Sequence, residues 1–445
     1  MSDETRKAKK TSAETPVSKK EVEAAIKERG EHEPKGGKGA IPAKYMIPST
    51  HAWAGLWKIF AGIGVVGLAM AGASYTSDPK RFAFSYLAAF AWGLTLALGG
   101  LFFVLIQHIT SAGWSVTVRR GAEQLMGTLP IFVLLFIPVV LFRNHLYPWL
   151  GHGHLSEAVE AKRGFLNFPF WMVRAVVFFA IWTFLANKLL GLSREQDETG
   201  NPDLTNKMRA LAAPGIPLFA LSITFGGIDW FMTLDPEWYS TMFGVYLFAG
   251  AAISVFAFLN LFFSRANAAK LLNNEVTPEH FHDLGKLQFA FTVFWAYIGF
   301  SQYFLIWYAN IPEETLFFKH RQENGWGTIS IALVLGHFFF PFFLMLSRHT
   351  KRIAGPRSFA AAWVLVLHFV DMYWLIMPNV DHHMHFNPLM DLGPILFIMG
   401  TMMAVFFKRL ADAPIVPARD PRLDRALHFE NALAGARDGT PRRRS

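Results

Sequence analysis

The chain has 445 residues, 52% of them hydrophobic, 15% aromatic and only 17% charged, with a mean hydropathy of +0.27; this excludes an ordinary water-soluble domain and describes a polytopic membrane protein. It has no cysteine, which excludes thiolate-held iron–sulfur clusters, zinc–thiolate sites, covalent c-type haem and disulfides for this chain by itself. The net charge of +9 belongs mostly to the two tails, where it suits anionic lipid and gives little ground for a nucleic acid partner.

Residues 1–50 are rich in Lys, Glu, Gly and Pro and poor in large apolar side chains. They cannot bury enough surface to offset chain entropy, so a disordered tail is expected, with no cleavable signal segment. A membrane span needs roughly 20 mostly apolar residues. Such runs predict ten transmembrane helices, over 53–73, 82–107, 125–142, 168–190, 214–234, 240–264, 286–309, 325–346, 358–378 and 388–407. The expected fold is all-α and integral to the membrane, with a membrane domain over 51–408 and a polar tail over 409–445. Loops after the even-numbered spans carry about twice the Lys and Arg of the others, and the positive-inside rule then puts both termini in the cytoplasm.

Lys58, one turn into the first span, is expected to snorkel to the near surface. Trp114 to Thr128 is too polar to cross and reads as an amphipathic helix lying in the interface, with Arg119 and Arg120 toward headgroups. The loop before the fourth span holds His145, His152, His154, Glu157 and Glu160 without a third ligand at a diagnostic spacing, so a surface loop is expected there rather than a metal site. Arg174, about two turns into the fourth span, requires an acidic partner on a neighbouring helix.

Spans five and six meet through almost no loop in the stretch Phe225 to Tyr246, FGGIDWFMTLDPEWYSTMFGVY. Asp229 lies within the span, and Asp235, Pro236 and Glu237 lie at its exit. A carboxylate in hydrocarbon costs roughly 2.5–3.5 kcal/mol on insertion scales, so its default reading is functional or paired. Gly226 and Gly227 allow a close helix approach or a local break just before it. Span seven aligns Tyr297, Ser301 and Tyr308 on one face, with Gln302 and Tyr303 beside it. Span eight carries His337 near its centre, span nine carries His368 and Asp371 one turn apart, and span ten begins at Asp391. Asp381, His382, His383 and His385 in the last outer loop read as a solvated, pH-sensitive surface.

Spans five and nine echo each other. Asp229-Trp-Phe231 with Pro236 and Asp371-Met-Tyr373 with Pro378 share the pattern acid, any residue, aromatic, then Pro two turns after the acid. The echo would make spans two to five (about 82–234) and six to nine (about 240–378) equivalent four-helix bundles, with spans one and ten peripheral. Asp229, His337, His368 and Asp371 are then the candidate proton-relay residues. Arg174, Tyr297, Ser301 and Gln302 are candidates to line a quinol slot, which needs aromatic walls, an acceptor for each hydroxyl and a proton exit. The bland alternative is that these groups pair among themselves to fix helix packing. A haem would need two imidazoles on facing helices at matching depth. His337 and His368 could be forced into that role, but no helix pair repeats the motif, so neither haem nor a metal site is expected.

The stretch Phe225 to Tyr246, together with FSQYFLIWYANIPEET at Phe300 to Thr315 and VDMYWLIMP at the end of span nine, resembles the ten-helix membrane subunits of bacterial alternative complex III, within the NrfD-like family of polysulfide-reductase membrane proteins. The resemblance covers essentially all of residues 50–410. It implies two four-helix bundles flanked by further helices, a place in the bacterial inner membrane, and a quinol substrate, menaquinol among the candidates. It also implies partners: a second, homologous membrane subunit, extracytoplasmic iron–sulfur and c-type haem subunits, a terminal oxidase, and lipid. In such complexes two homologous membrane subunits sit side by side, and the better-supported quinol site lies in the other one. The resemblance therefore assigns to this chain proton conduction or a second quinone site. Two other expectations stand beside it. A secondary transporter would show broken helices meeting at the midplane in both halves, and a structural anchor for extracytoplasmic redox subunits would need no internal polar site.

Overall fold

A computed structural model describes residues 42–151, 156–380 and 383–430. Among these, ten helices are long and apolar enough to cross a membrane: α1 (Ala52–Ser77), α2 (Pro79–Ile109), α3 (Val116–Leu141), α4 (Phe168–Thr199), α5 (Asp203–Leu234), α6 (Phe243–Ala268), α7 (Pro278–Ala309), α8 (Trp326–Leu346), α9 (Ala354–Asn379) and α10 (Pro388–Ala411). The described residues contain no strand. The expectations for residues 1–41, His152, His154, Asp381 and His382 fall outside the described residues.

Helix starts are written locally. Asp78, Asn167 and Asn387 each precede a proline by one or two residues and accept a hydrogen bond from a first-turn amide, from Arg81 at 3.0 Å, Phe170 at 2.9 Å and Leu389 at 3.1 Å respectively. The proline amide missing from the first turn would have been an orphan in any case. Gly200 ends α4 at φ 67° and Asn310 ends α7 at φ 49°, left-handed caps that free the chain to turn.

Packing forms two bundles. α2 to α5 contact one another in a ring, as do α6 to α9, while α2 and α6 lie against each other at the junction and are the most deeply enclosed helices. Gly99 makes that junction: a Cβ there would fall 2.2 Å from the Ala251 carbonyl oxygen. α1 and α10 pack on each other outside the bundles, and α10 also rests on α2. Small residues bring the pair together, since a Cβ on Gly67 would meet the Phe397 amide at 2.2 Å and one on Gly400 the Gly64 amide at 2.5 Å. The chain is therefore an all-α membrane protein with two four-helix bundles and two peripheral helices.

Three local expectations change. Val116 to Met126 is not an interfacial helix but the buried first part of α3. Arg119 and Arg120, 1% and 0% exposed, are held by Glu123 one turn on and by two acids distant in sequence. Arg119 reaches Glu123 and Asp420, each at 2.8 Å; Arg120 reaches Glu123 at 2.9 Å and pairs with Asp197. A one-dimensional reading sees the charges without Asp197 and Asp420. Residues past α10 likewise do more than trail away. Ala418 donates its amide to Asp197 at 2.8 Å, Ile415 donates to the Tyr45 carbonyl at 2.8 Å, and Asp420 closes on Arg119 and Arg422. The described ends of the chain thus meet at one end of the bundle. Finally, α5 runs unbroken through Gly226 and Gly227 to Trp230, so the one helix break that a transporter reading could use is not formed.

Candidate functional site

The second bundle gathers three of the four relay candidates. His337 of α8 and His368 and Asp371 of α9 are all 0% exposed, and one donor atom from each lies within 4.8 Å of the others. Asp371 is clamped from two further helices: Tyr246 of α6 donates its hydroxyl to Oδ1, and Trp295 of α7 donates its indole N–H to Oδ2 at 3.0 Å. His368 Nδ1 stands 3.9 Å from the same Oδ2, while its Nε2 meets the Thr95 hydroxyl of α2 at 2.9 Å. Behind it the absence of a side chain at Gly250 makes room, because a Cβ there would sit 2.7 Å from His368 Cε1.

His337 is placed by a distortion in its helix. Leu333–Phe339 is π-helical, and Pro341, having no amide hydrogen, cannot donate to the His337 carbonyl four residues back. Such π-turns often mark functional positions. The ring packs edge-on against Trp295, centroids 4.4 Å apart, and lies 6.4 Å from the His368 ring. Both its ring nitrogens, and Nδ1 of His368, meet no hydrogen-bonding atom of the described protein. The cluster therefore holds imidazole nitrogens with unused capacity beside a carboxylate. Two imidazoles and a carboxylate are also a donor set that could hold a divalent metal, but both carboxylate oxygens already accept hydrogen bonds, and one carboxylate would leave a net positive charge fully buried.

Next to the cluster is a cavity of about 820 Å³ with walls from α6 to α9 and the helix Pro312–His320. Trp238, Phe317, Phe338 and Trp374 line it, and so do Tyr246 and Trp295, the residues that clamp Asp371. Phe300, Leu335 and Phe339 are lining residues that are also exposed, so the cavity opens between α7 and α8 onto the surface a bilayer would cover. Its polar lining includes Gln302, whose side-chain oxygen accepts from Ser240 at 2.8 Å, and Arg321. Arg321 lies between spans and is 2% exposed; burial pushes its guanidinium down to about 9, against the pull of Asp235.

The remaining candidates lie elsewhere. Asp229 belongs to the first bundle, where Arg174 grips it with both arms, Nε to Oδ2 at 2.6 Å and Nη2 to Oδ1 at 2.9 Å. The Arg174 guanidinium also lies over Phe165 and Phe170, 3.9 and 4.2 Å from their centroids. This is the acidic partner expected for Arg174, and it removes both residues from the cavity and the imidazole cluster. Tyr297 is 64% exposed on the outer face of α7, and Ser301 turns its hydroxyl back to the Ile298 carbonyl at 2.9 Å. Neither lines the cavity; of the four lining candidates only Gln302 does. Sequence reasoning passed over Tyr246, Trp295 and Arg321. The signal for α7 was available in the seven-residue series Gln288, Trp295, Gln302, whose members are all buried.

No family model matches this chain, and no curated protein matches it in sequence.

Proposed function

We propose that this chain is the membrane subunit of a bacterial respiratory quinol:electron-acceptor oxidoreductase of the alternative complex III type, and that its second bundle receives a quinone and moves its protons. The observation that carries the reading is the contact between an aromatic cavity open to the bilayer side and a fully buried acid–imidazole cluster, joined by Tyr246 and Trp295. A quinol loses protons as it is oxidised, so its site needs an apolar slot with a proton acceptor at one end. Here Tyr246 lines the cavity and gives its hydroxyl proton to Asp371, and His368 and His337, neither of which lines the cavity, continue the line from Asp371. This chain's residues bind the ring, exclude water and pass protons. The electrons leave through partner subunits, for which the resemblance supplies a homologous membrane protein, iron–sulfur and c-type haem subunits and a terminal oxidase.

Asp371→Asn tests it, because the amide keeps the size and much of the hydrogen bonding while removing the titrating group. In native membranes the assembly should form and quinol-driven turnover should fall by about a hundredfold, the scale of general acid–base contributions. Full turnover with unchanged proton release would remove Asp371 from the path.

A further inference from the structure

Arg321 sits differently from the other buried arginines. Arg81 pairs with Asp391 at 3.1 Å, Arg174 with Asp229, and Arg119 and Arg120 with Glu123, Asp197 and Asp420. Arg357 lacks a carboxylate but directs Nε and Nη2 to the Ser264 hydroxyl and Nη1 to the carbonyls of Lys351 and Arg352, and does not line the 820 Å³ cavity. Arg321 has two backbone carbonyls, of Phe317 at 2.8 Å and Leu375 at 2.7 Å, and a stacking contact with Phe317, 3.4 Å to the centroid. Its Nε meets no described acceptor, and its surroundings are the wall of the 820 Å³ cavity. An enclosed cation with no carboxylate in contact, drawn only by the longer-range pull of Asp235, is costly. Beside a cavity, that cost is offset by any ligand that brings a negative or strongly accepting oxygen.

The position of Arg321 fixes what kind of ligand. It is tied to α9 at Leu375, one turn beyond Asp371, which by helix rise is about 6 Å along the axis. The cavity wall therefore carries a hydroxyl–carboxylate pair at Tyr246–Asp371 and a cationic donor at Arg321, two polar points that suit a ring bearing oxygens on opposite sides. Aromatic side chains, Trp238, Phe317 and Trp374, stand around the space. A fatty acid or phospholipid headgroup would use the cation alone and leave the Tyr246–Asp371 pair idle.

Resting on the quinone reading above, we propose that Arg321 is the residue that orients the quinol: it donates to one ring oxygen while the opposite hydroxyl donates to the Tyr246 oxygen, and the isoprenoid tail leaves between α7 and α8. The arrangement favours an anionic ring oxygen at the Arg321 end.

The test uses the full chain in nanodiscs of zwitterionic lipid. Two probes are titrated: lawsone, a hydroxynaphthoquinone that is an anion at neutral pH, and menadione, which is neutral. Binding is read from quenching of indole emission, since Trp238, Trp295 and Trp374 line the cavity. The wild type should bind lawsone about tenfold more tightly than menadione, as a charge-assisted contact requires. Arg321→Gln should bring that ratio to about one, Arg321→Lys should keep part of it, and Arg357→Gln should leave it unchanged. A ratio that survives in Arg321→Gln, with both probes still bound, overturns the orienting role and leaves the quinone reading standing. Failure of both probes to bind the wild type overturns the quinone reading itself. Palmitate competing with both probes at the affinity of lawsone would reassign Arg321 to a lipid headgroup. Should Arg321→Gln fail to fold, the Arg321→Lys ratio decides: the full wild-type value there counts against a forked contact to a ring oxygen.

Discussion

The two bundles carry the same acid at the same place and treat it in opposite ways. In the first, Asp229 is gripped by Arg174, and the far end of the bundle is closed by Arg119 and Arg120 with Glu123, Asp197 and Asp420. Each of these buried charges has an opposite one. In the second, Asp371 faces a phenol, an indole and two imidazoles, Asn260 and Gln288 join amide to amide at 2.9 Å, and Arg321 and Arg357 lack carboxylates. Charge pairs fix a helix packing and hold no proton in reserve, whereas neutral donors and acceptors around a single acid can exchange one. On the function proposed above, the comparison makes the first bundle the scaffold and the second the place of chemistry.

Removing the same acid from both halves puts that assignment at greatest risk. Asp229→Asn leaves Arg174 enclosed without its counter-charge, and a stability loss of about 3–5 kcal/mol is expected. It should be seen as a lower unfolding midpoint of the solubilised protein. Adding Arg174→Gln should recover much of that loss, because the stranded charge is gone. Asp371→Asn should show the reverse profile, with near-normal stability and lost turnover. If Asp229→Asn were stable and inactive instead, the first bundle would be doing chemistry too.

A smaller effect is expected at Gly250→Ala. The new Cβ would stand 2.7 Å from His368 Cε1 and 3.2 Å from its Nδ1, so the ring must swing and its bond to Thr95 must lengthen. Overpacking of this kind costs roughly 1–3 kcal/mol. Turnover should fall several-fold more than in Gly299→Ala, where the nearest atom is a Tyr246 ring carbon at 3.3 Å. Equal turnover in the two variants would show that the orientation of His368 does not matter.

Much of this fold was legible in the sequence because hydrocarbon imposes length and composition on every span, and the echoed acid on spans five and nine marked the two bundles. The partner of Arg174 followed from the cost of a lone charge in lipid. The site was harder to read, for a physical reason. In a membrane both faces of a helix are apolar, so the face carrying Tyr297 and Tyr308, 64% and 77% exposed, looked as promising as the buried face with Trp295. Tyr246 lay at the edge of the very stretch that stood out, unnoticed because its meaning depends on Asp371, 125 residues away. The Arg119–Asp420 contact spans 301 residues and left no local trace either.

The least effect is expected where the first bundle meets acid. Asp420 is enclosed, which by itself would raise its pKa, but Arg119 and Arg422 outweigh that and hold the carboxyl well below the usual range. A depressed folded-state pKa contributes stability that is fully present above the unfolded value, about 3.9, and is lost only as pH falls through the lower folded value. The segment after α10 should therefore stay docked, unchanged, from pH 8 down to about pH 5. Because the chain has no cysteine, a single nitroxide at Asp424→Cys, an exposed position, reports its motion cleanly. Spectra that narrow progressively below about pH 4, as the label gains freedom, and not above it, are the expected result, since protonation must then begin to compete with two arginines. Release between pH 7 and pH 5 would mean that a histidine or an exposed acid holds the segment, and the first bundle would then carry a titrating device that its ion pairs do not suggest.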